Sequence, residues 1–549
     1  MNLKENISNL FSKYTSFLKV FFEPFNKKQQ IFFILAASFL SLFIIVTRYF
    51  LYTESYVWNT GFFLMGLFFT FLYSFIVFNG IIFLIDFLRK KNFYLTISQT
   101  KEKLDTKCVL KYAFGCLVVL LIYLAAYFPG AIYSDNCEQW KSVQSFIFED
   151  WHPVLHTLII WLFTRIYNHY SFFIFCQILL FSFSIGYLIA TMKSWGFNKV
   201  ILNLVFASVI MNQMTRNIMT CAVKDCMLAV FVVFLFTLCM NIYFSKGKWI
   251  KNNFNIVIFA ICVSFVSLMR HNAVLLTFPF LFILWKVYAK DIKQIKIAVF
   301  LSLLFIFLIK GPLYSALDTQ RPDNFFEESI SMPMTIISDV YIKNPKAITP
   351  MTMELIKKIA DEEKWHRVHV MSHYVYIRFE TDACNIIKKV PLKNFVKMTI
   401  DTIKADPYNS MVAVRDITDL AWKSQGTPEG VFKIDYQGES IGYFYKELPF
   451  QKYFKFIVNV FDTAFNLPIL NMLLMMTGVQ MMLLMFFGLL SYYRNGLAPL
   501  LYVIPTIIYN FGTMWYLCND DYRYFYFNAV VTIPVIFILL AQQTKKEKD

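Results

Sequence analysis

Residues 220–244 read TCAVKDCMLAVFVVFLFTLCMNIYF, in which an apolar run begins directly after two charged residues, Lys224 and Asp225. About 20 consecutive apolar residues make a helix long enough to cross a lipid bilayer. Runs of this kind recur along the 549-residue chain, in which 58% of the residues are hydrophobic and the mean hydropathy is +0.52. A soluble protein of this size could not bury so much apolar surface, so the sequence predicts a polytopic membrane protein.

The apolar runs predict an all-α fold with about 12 transmembrane helices. Their ends are predicted to within a few residues. The predicted spans lie at about 31–50, 60–88, 109–129, 171–192, 200–215, 226–244, 253–269, 273–289, 296–312, 467–490, 497–516 and 524–541.

The formal net charge of +16 comes mainly from short loops between these spans. Residues 313–455 hold about 19 basic and about 19 acidic residues, so the large polar segment is nearly neutral. Short basic loops stay in the cytoplasm, which places both termini there. The same pattern explains the net charge without a nucleic-acid partner. The basic loops lie at 89–107, 193–199, 245–252, 286–296, 491–496 and 542–549.

The segment 154–168, VLHTLIIWLFTRIYN, decides this topology because it is apolar but short. If it crossed the membrane, every later lysine-rich loop would face outwards, against the positive-inside pattern. We therefore expect a re-entrant or interfacial helix within a long external loop at 130–170. An ordinary short span at this position, paired with a second span missing from the count above, stays an open alternative.

The external loop is expected to hold a second short helix, which begins near Asp135 with Ser134 as its N-cap. Asp135, Glu138 and Gln139 have the i, i+3 and i+4 spacing that places side chains on one helix face. The loop therefore presents a polar face next to the predicted membrane surface.

The long polar stretch divides the chain into three predicted parts. Residues 1–312 form an N-terminal transmembrane module, 313–455 an external α-rich insert, and 456–549 a C-terminal transmembrane module. The insert has no glycine-rich phosphate loop, GxSxG or HExxH motif. The ten cysteines show neither a CxxC pair nor the spacing of zinc ligands. No cofactor is predicted, and a divalent metal stays an open alternative.

Charged residues at the predicted external ends of the spans form the candidate site. Ionisable groups at membrane depth are costly and tend to mark functional sites. Asp135 is the candidate catalytic residue, as a general base or a charge anchor at the membrane–water boundary. The candidate substrate-binding residues are Glu138, His152, Lys224, Arg270, His271, Asp521 and Arg523.

The residue types in this set suit a phosphate and a sugar. Lysine and arginine bind phosphate, and a neutral histidine can donate to a phosphate or a sugar hydroxyl. Arg216 is expected to add to the cationic helix end at Lys224. The aromatic residues around Asp520, Asp521 and Arg523 are expected to stack on a sugar face.

Each of these residues also has a purely structural interpretation. Asp135 can be a solvated carboxylate at a helix start. Lys224 and Asp225 can form a local pair with snorkelling side chains. Arg270 can anchor lipid headgroups, and the aromatic residues near the last span can form an interfacial belt.

The motif YSDNCEQW around Asp135 and the motif Asp521-Tyr522-Arg523-Tyr524 before the last span resemble the C-type glycosyltransferase superfamily, within an uncharacterised bacterial branch. The resemblance implies transfer of a sugar from a polyprenyl-phosphate donor to a cell-envelope glycan, lipid or protein at the outer face of the bacterial cytoplasmic membrane. It further implies that Asp135 is the catalytic base.

By the same resemblance, Arg523 with Arg270 or Lys224 holds the donor phosphate. The chain departs from the pattern of the superfamily because Asp135 is followed by Asn136 rather than by a second acidic residue. Metal dependence and the exact role of Asp135 are the properties that this departure leaves open.

Two other classes of function stay open. A transporter or flippase of lipid-linked glycans would place charges mid-span in both halves and often shows internal repeats. A non-catalytic assembly partner would use residues 313–455 as its docking module. The crowding of charges at one face favours the enzyme.

Overall fold

The computed structural model describes residues 3–49, 60–320, 326, 329–368, 374–423, 448–515 and 521–543. Within these residues the chain is almost entirely helical. The helices of the N-terminal part are α1 (Leu3–Phe22), α2 (Lys27–Tyr49), α3 (Thr60–Lys90), α4 (Thr106–Ala126), α5 (Ser134–Ser145), α6 (Val154–Thr164), α7 (Tyr170–Ser194), α8 (Lys199–Ile210), α9 (Gln213–Ile218), α10 (Lys224–Phe244), α11 (Asn253–Met269), α12 (Val274–Tyr288), α13 (Lys293–Leu308) and α14 (Tyr314–Ala316).

Shorter helices follow in the insert, and longer ones return near the C-terminal end. The helices of the insert are α15 (Ser331–Lys343), α16 (Pro350–Ile359), α17 (Glu362–Val368), α18 (Val375–Glu380), α19 (Ala383–Lys388), α20 (Leu392–Ala405), α21 (Pro407–Ile417) and α22 (Asp419–Trp422). The last helices are α23 (Gln451–Phe465), α24 (Pro468–Met475), α25 (Thr477–Asn495), α26 (Leu500–Met514) and α27 (Tyr526–Leu540).

Eight helical segments of the described chain are long and apolar enough to cross a membrane, which supports a multi-pass membrane protein. The count becomes nine if α23 and α24, which meet at an angle of 95°, form one span. The eight segments are Lys27–Thr47, Met65–Lys90, Thr106–Ala126, Tyr170–Ser194, Lys224–Phe244, His271–Tyr288, Lys293–Ala316 and Tyr522–Leu540.

The eight or nine candidate spans of the described chain do not confirm the predicted number of about twelve, which stays a prediction. Three of the predicted spans fall on α8, α11 and α26, which have 12, 17 and 15 residues. At about 1.5 Å per residue such helices are shorter than the roughly 30 Å hydrocarbon core. The predicted span 467–490 is divided between α24 and α25 at Met476.

Helix α10 lies at the centre of the membrane-spanning body. It is apolar on all sides. Of the residues in its most apolar stretch, 83% are buried inside the protein, against 17% for the segment Met65–Lys90 of α3. A helix that is hydrophobic all round belongs in the interior of a bundle. Helix α10 packs against α7, α11 and α27, so its first residues, Lys224 and Asp225, are held among neighbouring helices.

Two short strands were not predicted from the sequence. Strand β1 (Leu95–Ile97) pairs in parallel with β2 (Ala541–Gln543), so Leu95 lies opposite Ala541. The Gln543 side chain also donates a hydrogen bond of 2.9 Å to the carbonyl of Phe244. The end of the last span is thereby tied to the loop after α3 and to the end of α10.

The insert has a hydrophobic cluster of its own, which includes the fully buried Trp365. Its last helix, α22, reaches the membrane-spanning body, where Trp422 lies between two phenylalanines. The ring centroid of Trp422 is 4.9 Å from that of Phe43 and 5.3 Å from that of Phe511. The insert is thus attached to α2 and α26.

Candidate functional site

The start of the loop 130–170 is fixed against the chain that precedes α10. The amide of Ala131 donates to the carbonyl of Thr220 at 3.0 Å. Gly130 has a φ of +116°, and a Cβ there would lie 2.7 Å from the same carbonyl oxygen. Only glycine adopts this conformation readily and leaves room for so close an approach.

A second contact holds α5 in place. The Asn136 side chain accepts a hydrogen bond from the amide of Tyr133 at 3.1 Å and donates one to the carbonyl of Ala222 at 2.8 Å. Helix α5 begins at Ser134, with Tyr133 as the N-cap in place of the predicted Ser134. These bonds bring Asp135, in the first turn of α5, next to Lys224, the first residue of α10.

Asp135 contacts two cations through a single carboxylate oxygen. Its Oδ2 lies 3.7 Å from the Nζ of Lys224 and 3.6 Å from an Nη of Arg523. Burial acts to raise the pKa of Asp135, but Lys224 and Arg523 outweigh it and hold the pKa well below the ordinary value of 3.8. Asp135 is therefore an ionised carboxylate at neutral pH, and about a third of its side chain is exposed.

Arg523 is held between two carboxylates and an aromatic ring. Its Nε donates to Asp521, which also accepts the backbone amide of Arg523 at 2.9 Å. The guanidinium carbon lies 5.5 Å from the ring centroid of Tyr133, within the range of a cation–π contact. Asp520, which the sequence placed in the same cluster, lies outside the described residues.

His152 and Glu138 continue this network on the other side of Lys224. The Nζ of Lys224 lies 3.2 Å from the Nδ1 of His152, and the Nε2 of His152 lies 2.8 Å from a carboxylate oxygen of Glu138. An ammonium group has no acceptor, so His152 Nδ1 must accept and its Nε2 must carry the proton donated to Glu138. Polar contacts thus run from the exposed Glu138 to Arg523 without a break.

Arg270 lies beside this network but has its own partner. It forms an ion pair with Asp225, and its guanidinium carbon lies 4.6 Å from the ring centroid of Tyr524. Asp225 is 2% and Arg270 9% exposed, so this pair is buried. One interpretation of the sequence paired Asp225 with its neighbour Lys224. In the structure Asp225 pairs with Arg270 instead. Lys224 therefore faces Asp135.

Arg216 belongs to a different cluster from the one expected. It is fully buried, and its guanidinium donates to Asp462 on α23 at 2.6 Å. The hydroxyl of Tyr123 on α4 also donates to Asp462 at 2.6 Å. Arg216 therefore anchors the bent helix pair α23–α24 and does not join the cationic group at Lys224.

His271 follows Arg270 directly in the chain and has a different carboxylate neighbour. Its Nε2 is 3.9 Å from a carboxylate oxygen of Asp150, and both residues line a small cavity of about 30 Å³ together with Lys310 and Tyr314. Of the eight predicted site residues, six form one continuous network, Arg270 adjoins it, and His271 faces a cavity that Arg270 also lines.

Sequence reasoning assigned no role to Tyr133, and it expected the aromatic residues around Arg523, Tyr524 among them, to stack on a sugar rather than on an arginine. Tyr133 and Tyr524 supply the rings against which Arg523 and Arg270 lie. Tyr524 follows Arg523 directly, and Tyr133 precedes the acidic motif of α5, so both stood beside residues already selected. Their pairing with arginines across the fold has no signature in local sequence.

Among the described residues, no group of three or more histidine, cysteine, aspartate or glutamate side chains is arranged to hold a metal ion. The nine cysteines in this part of the chain are all buried and unbridged. No family model, curated protein or solved structure matches the chain. The functional argument therefore depends on the geometry of the site.

Proposed function

We propose that the chain is a glycosyltransferase of the bacterial cytoplasmic membrane, which moves a sugar from a polyprenyl-phosphate donor to a cell-envelope acceptor at the external face. The observation that carries this proposal is the contact of Lys224 and Arg523 with the same oxygen of Asp135. One carboxylate and two cations in contact can serve the two ends of a sugar-transfer reaction, the incoming hydroxyl and the departing phosphate.

The proposed reaction proceeds in one step with inversion at the anomeric carbon. The acceptor hydroxyl oxygen forms a bond to that carbon while Asp135 takes the hydroxyl proton. The bond from the anomeric carbon to the phosphate oxygen breaks, and its electron pair leaves with the lipid phosphate. Lys224 and Arg523 stabilise the charge that develops on the phosphate.

The lowered pKa of Asp135 has a direct consequence for this mechanism. A carboxylate that contacts two cations is a weak base, because the ionised form is already stabilised. A donor phosphate that draws Lys224 and Arg523 towards itself would weaken both contacts and raise the basicity of Asp135. Asp135 then becomes an effective base only when the donor is bound.

Neighbouring groups support the same assignment. Lys224 and Arg523 are the cations that contact Asp135, so the phosphate-binding role is assigned to them, whereas Arg270 pairs with the buried Asp225. Tyr133 and Tyr524 border the site, and their rings pack against the guanidinium groups of Arg523 and Arg270 and so help to position the two arginines. The positive-inside pattern places the whole group at the external face, where lipid-linked donors would be used.

The decisive experiment compares cell-envelope glycans, by mass spectrometry, in a deletion strain that carries the wild-type gene, Asp135→Asn or Asp105→Asn. Asp105 is a matched control, because its carboxylate also contacts a lysine, Lys193 at 2.6 Å, and asparagine preserves its N-cap role on α4. We expect a glycan that is lost in the deletion strain to return with wild type and Asp105→Asn but not with Asp135→Asn. A normal glycan profile for Asp135→Asn, at equal membrane levels, would refute the assignment.

A transporter of lipid-linked glycans is the second candidate, and one observation favours it. The helices α23 and α24 meet at 95°, and broken helices of this kind line substrate paths in secondary transporters. Purified protein in proteoliposomes separates the two functions. Movement of a labelled lipid-linked sugar across the bilayer, without transfer to an acceptor, supports the transporter and contradicts the enzyme.

A further inference from the structure

One face of α20 in the insert carries large aliphatic side chains that remain exposed. They recur at i, i+4, i+8 and i+11, positions that share a helix face. A different face packs into the insert through Phe395 and Met398. Helix α20 therefore has a second apolar face outside the core of the insert. The exposed fractions are 72% for Leu392, 46% for Val396, 44% for Ile400 and 37% for Ile403.

A row of lysines runs beside this apolar stripe. Lys393, Lys397 and Lys404 are exposed, and each follows a stripe residue by one position. Within the part of the chain that the structure describes, none of the three ammonium groups forms an ion pair. Residues 386–405 contain five lysines and one aspartate, although the insert as a whole is nearly neutral. Positive charge is thus concentrated at this face.

The insert is fastened to the membrane-spanning body close to this helix. Helix α20 packs against α21, and α22, which follows α21 directly, places Trp422 against Phe43 and Phe511. Only two short helices therefore separate the exposed stripe from side chains of the membrane-spanning body. This short connection is the reason to expect the stripe near the bilayer.

We propose that α20 docks on the surface of an anionic lipid bilayer. The stripe of Leu392, Val396, Ile400 and Ile403 lies at the boundary between headgroups and acyl chains, and the three lysines contact lipid phosphates. Lysines beside a continuous apolar stripe are typical of interfacial membrane helices. Lysine is depleted in protein–protein interfaces, so the composition favours lipid over a protein partner. The proposal does not depend on the glycosyltransferase assignment.

The test uses the full-length protein in nanodiscs, with an environment-sensitive fluorophore on single introduced cysteines. Val396→Cys and Ile400→Cys place the label on the stripe, and Asn394→Cys places it on an exposed position outside the stripe. Labelled wild-type protein gives the background from native cysteines, which are buried wherever the structure describes them. In nanodiscs with phosphatidylglycerol, we expect lipid-borne nitroxide to quench the two stripe labels several-fold more strongly than the label at Asn394.

Charge reversal of the lysines tests the electrostatic part. In Lys393→Glu/Lys397→Glu/Lys404→Glu, lipid quenching of the stripe label should fall in nanodiscs with phosphatidylglycerol. Unchanged quenching would overturn the role of the lysines. Stripe labels that aqueous iodide quenches as strongly as the label at Asn394 would overturn the docking itself. Stripe labels shielded from both quenchers would show that protein covers the face, which also contradicts the proposal.

Discussion

The side-chain amide of Asn136 donates a hydrogen bond of 2.8 Å to the backbone carbonyl of Ala222. A carboxylate at this position has no proton to donate at neutral pH, so its oxygen would face the carbonyl oxygen without a hydrogen bond. This contact gives a structural reason for an asparagine, and not a second acidic residue, directly after Asp135.

Replacing Asn136 with aspartate should therefore destabilise the site, although the two side chains have the same shape. We expect Asn136→Asp to lower the free energy of unfolding by about 1–3 kcal/mol, the cost of a buried polar group left unpaired. Thermal unfolding of the detergent-purified protein measures this change. Asn394→Asp, at an exposed position of α20, should unfold like wild type. Equal stability of the two variants would contradict the role given to Asn136.

The buried pair of Asp225 and Arg270 predicts a large loss of stability when one partner is removed. Asp225→Asn should cost about 3–5 kcal/mol, because Arg270 is left charged and almost fully buried. Removing both charges with Asp225→Leu/Arg270→Met should restore much of the loss.

Thermal unfolding of the same preparation checks the prediction for this pair, with Glu354→Gln as the control. Glu354 pairs with Lys358 at 2.7 Å, but both side chains are more than 60% exposed, so its loss should have no measurable effect. A double variant less stable than Asp225→Asn alone would contradict the proposed compensation.

The tautomer assigned to His152 predicts different outcomes for two amide replacements. Asparagine can offer an acceptor near the position of Nδ1 and so preserve the contact with Lys224. Glutamine reaches the position of Nε2 and preserves the contact with Glu138. Because Lys224 contacts Asp135, we expect His152→Asn to retain more glycan product than His152→Gln. Mass spectrometry of envelope glycans measures the product. More product in His152→Gln than in His152→Asn would contradict the importance of the contact between His152 and Lys224.

Gly130 should tolerate no side chain. In Gly130→Ala the new Cβ would lie 2.2 Å from the Cδ1 of Ile174 and 2.7 Å from the carbonyl oxygen of Thr220, at a φ of +116°. We expect a clear fall in the unfolding temperature. Gly80→Ala is the matched control, since nothing lies within 4 Å of a Cβ in α3, and alanine there should be neutral or stabilising. Similar unfolding temperatures for both variants would refute the tight packing at Gly130.

His156 predicts a loss of stability in mild acid. It is fully buried on α6, and burial, with Lys224 and His152 nearby, lowers its pKa from 6.5 to about 3. The unfolded chain binds a proton below pH 6.5, whereas the folded protein does not until about pH 3. Stability should therefore fall as pH decreases through this window, by up to about 1.4 kcal/mol per pH unit.

The slope of unfolding temperature against pH tests the contribution of His156. His156→Gln should flatten this slope, whatever its effect at neutral pH. His366→Gln, which removes a half-exposed imidazole of the insert, is the control variant. An unaltered slope in His156→Gln would show that His156 titrates normally in the folded protein.

The membrane class and the helical fold were predictable because long apolar runs have one stable solution in a bilayer, the helix. The grouping of Asp135, Lys224 and Arg523 was predictable from the positive-inside pattern, which assigns loops to one face. The direct contacts among these three residues were not predictable. They depend on hydrogen bonds between loops that are remote in sequence, such as that of Ala131 with Thr220.

Other features were hidden for related reasons. The partners of Arg216 and Asp225 come from α23 and from the C-terminal end of α11, both remote in sequence, and local spacing does not indicate them. The strands β1 and β2 have three residues each, too short for a periodic pattern. The bend between α23 and α24 falls within apolar sequence, where composition does not distinguish a straight span from a broken one.

The pairing of β1 with β2 restricts how the chain can thread the bilayer. Backbone hydrogen bonds join residues 95–97 to 541–543, so the two segments must share one aqueous compartment. Between them the polypeptide can only make an even number of crossings. The ten predicted spans in that interval satisfy this parity, and an eleventh through α6 would violate it, so a topology that simply adds α6 to the other ten is excluded.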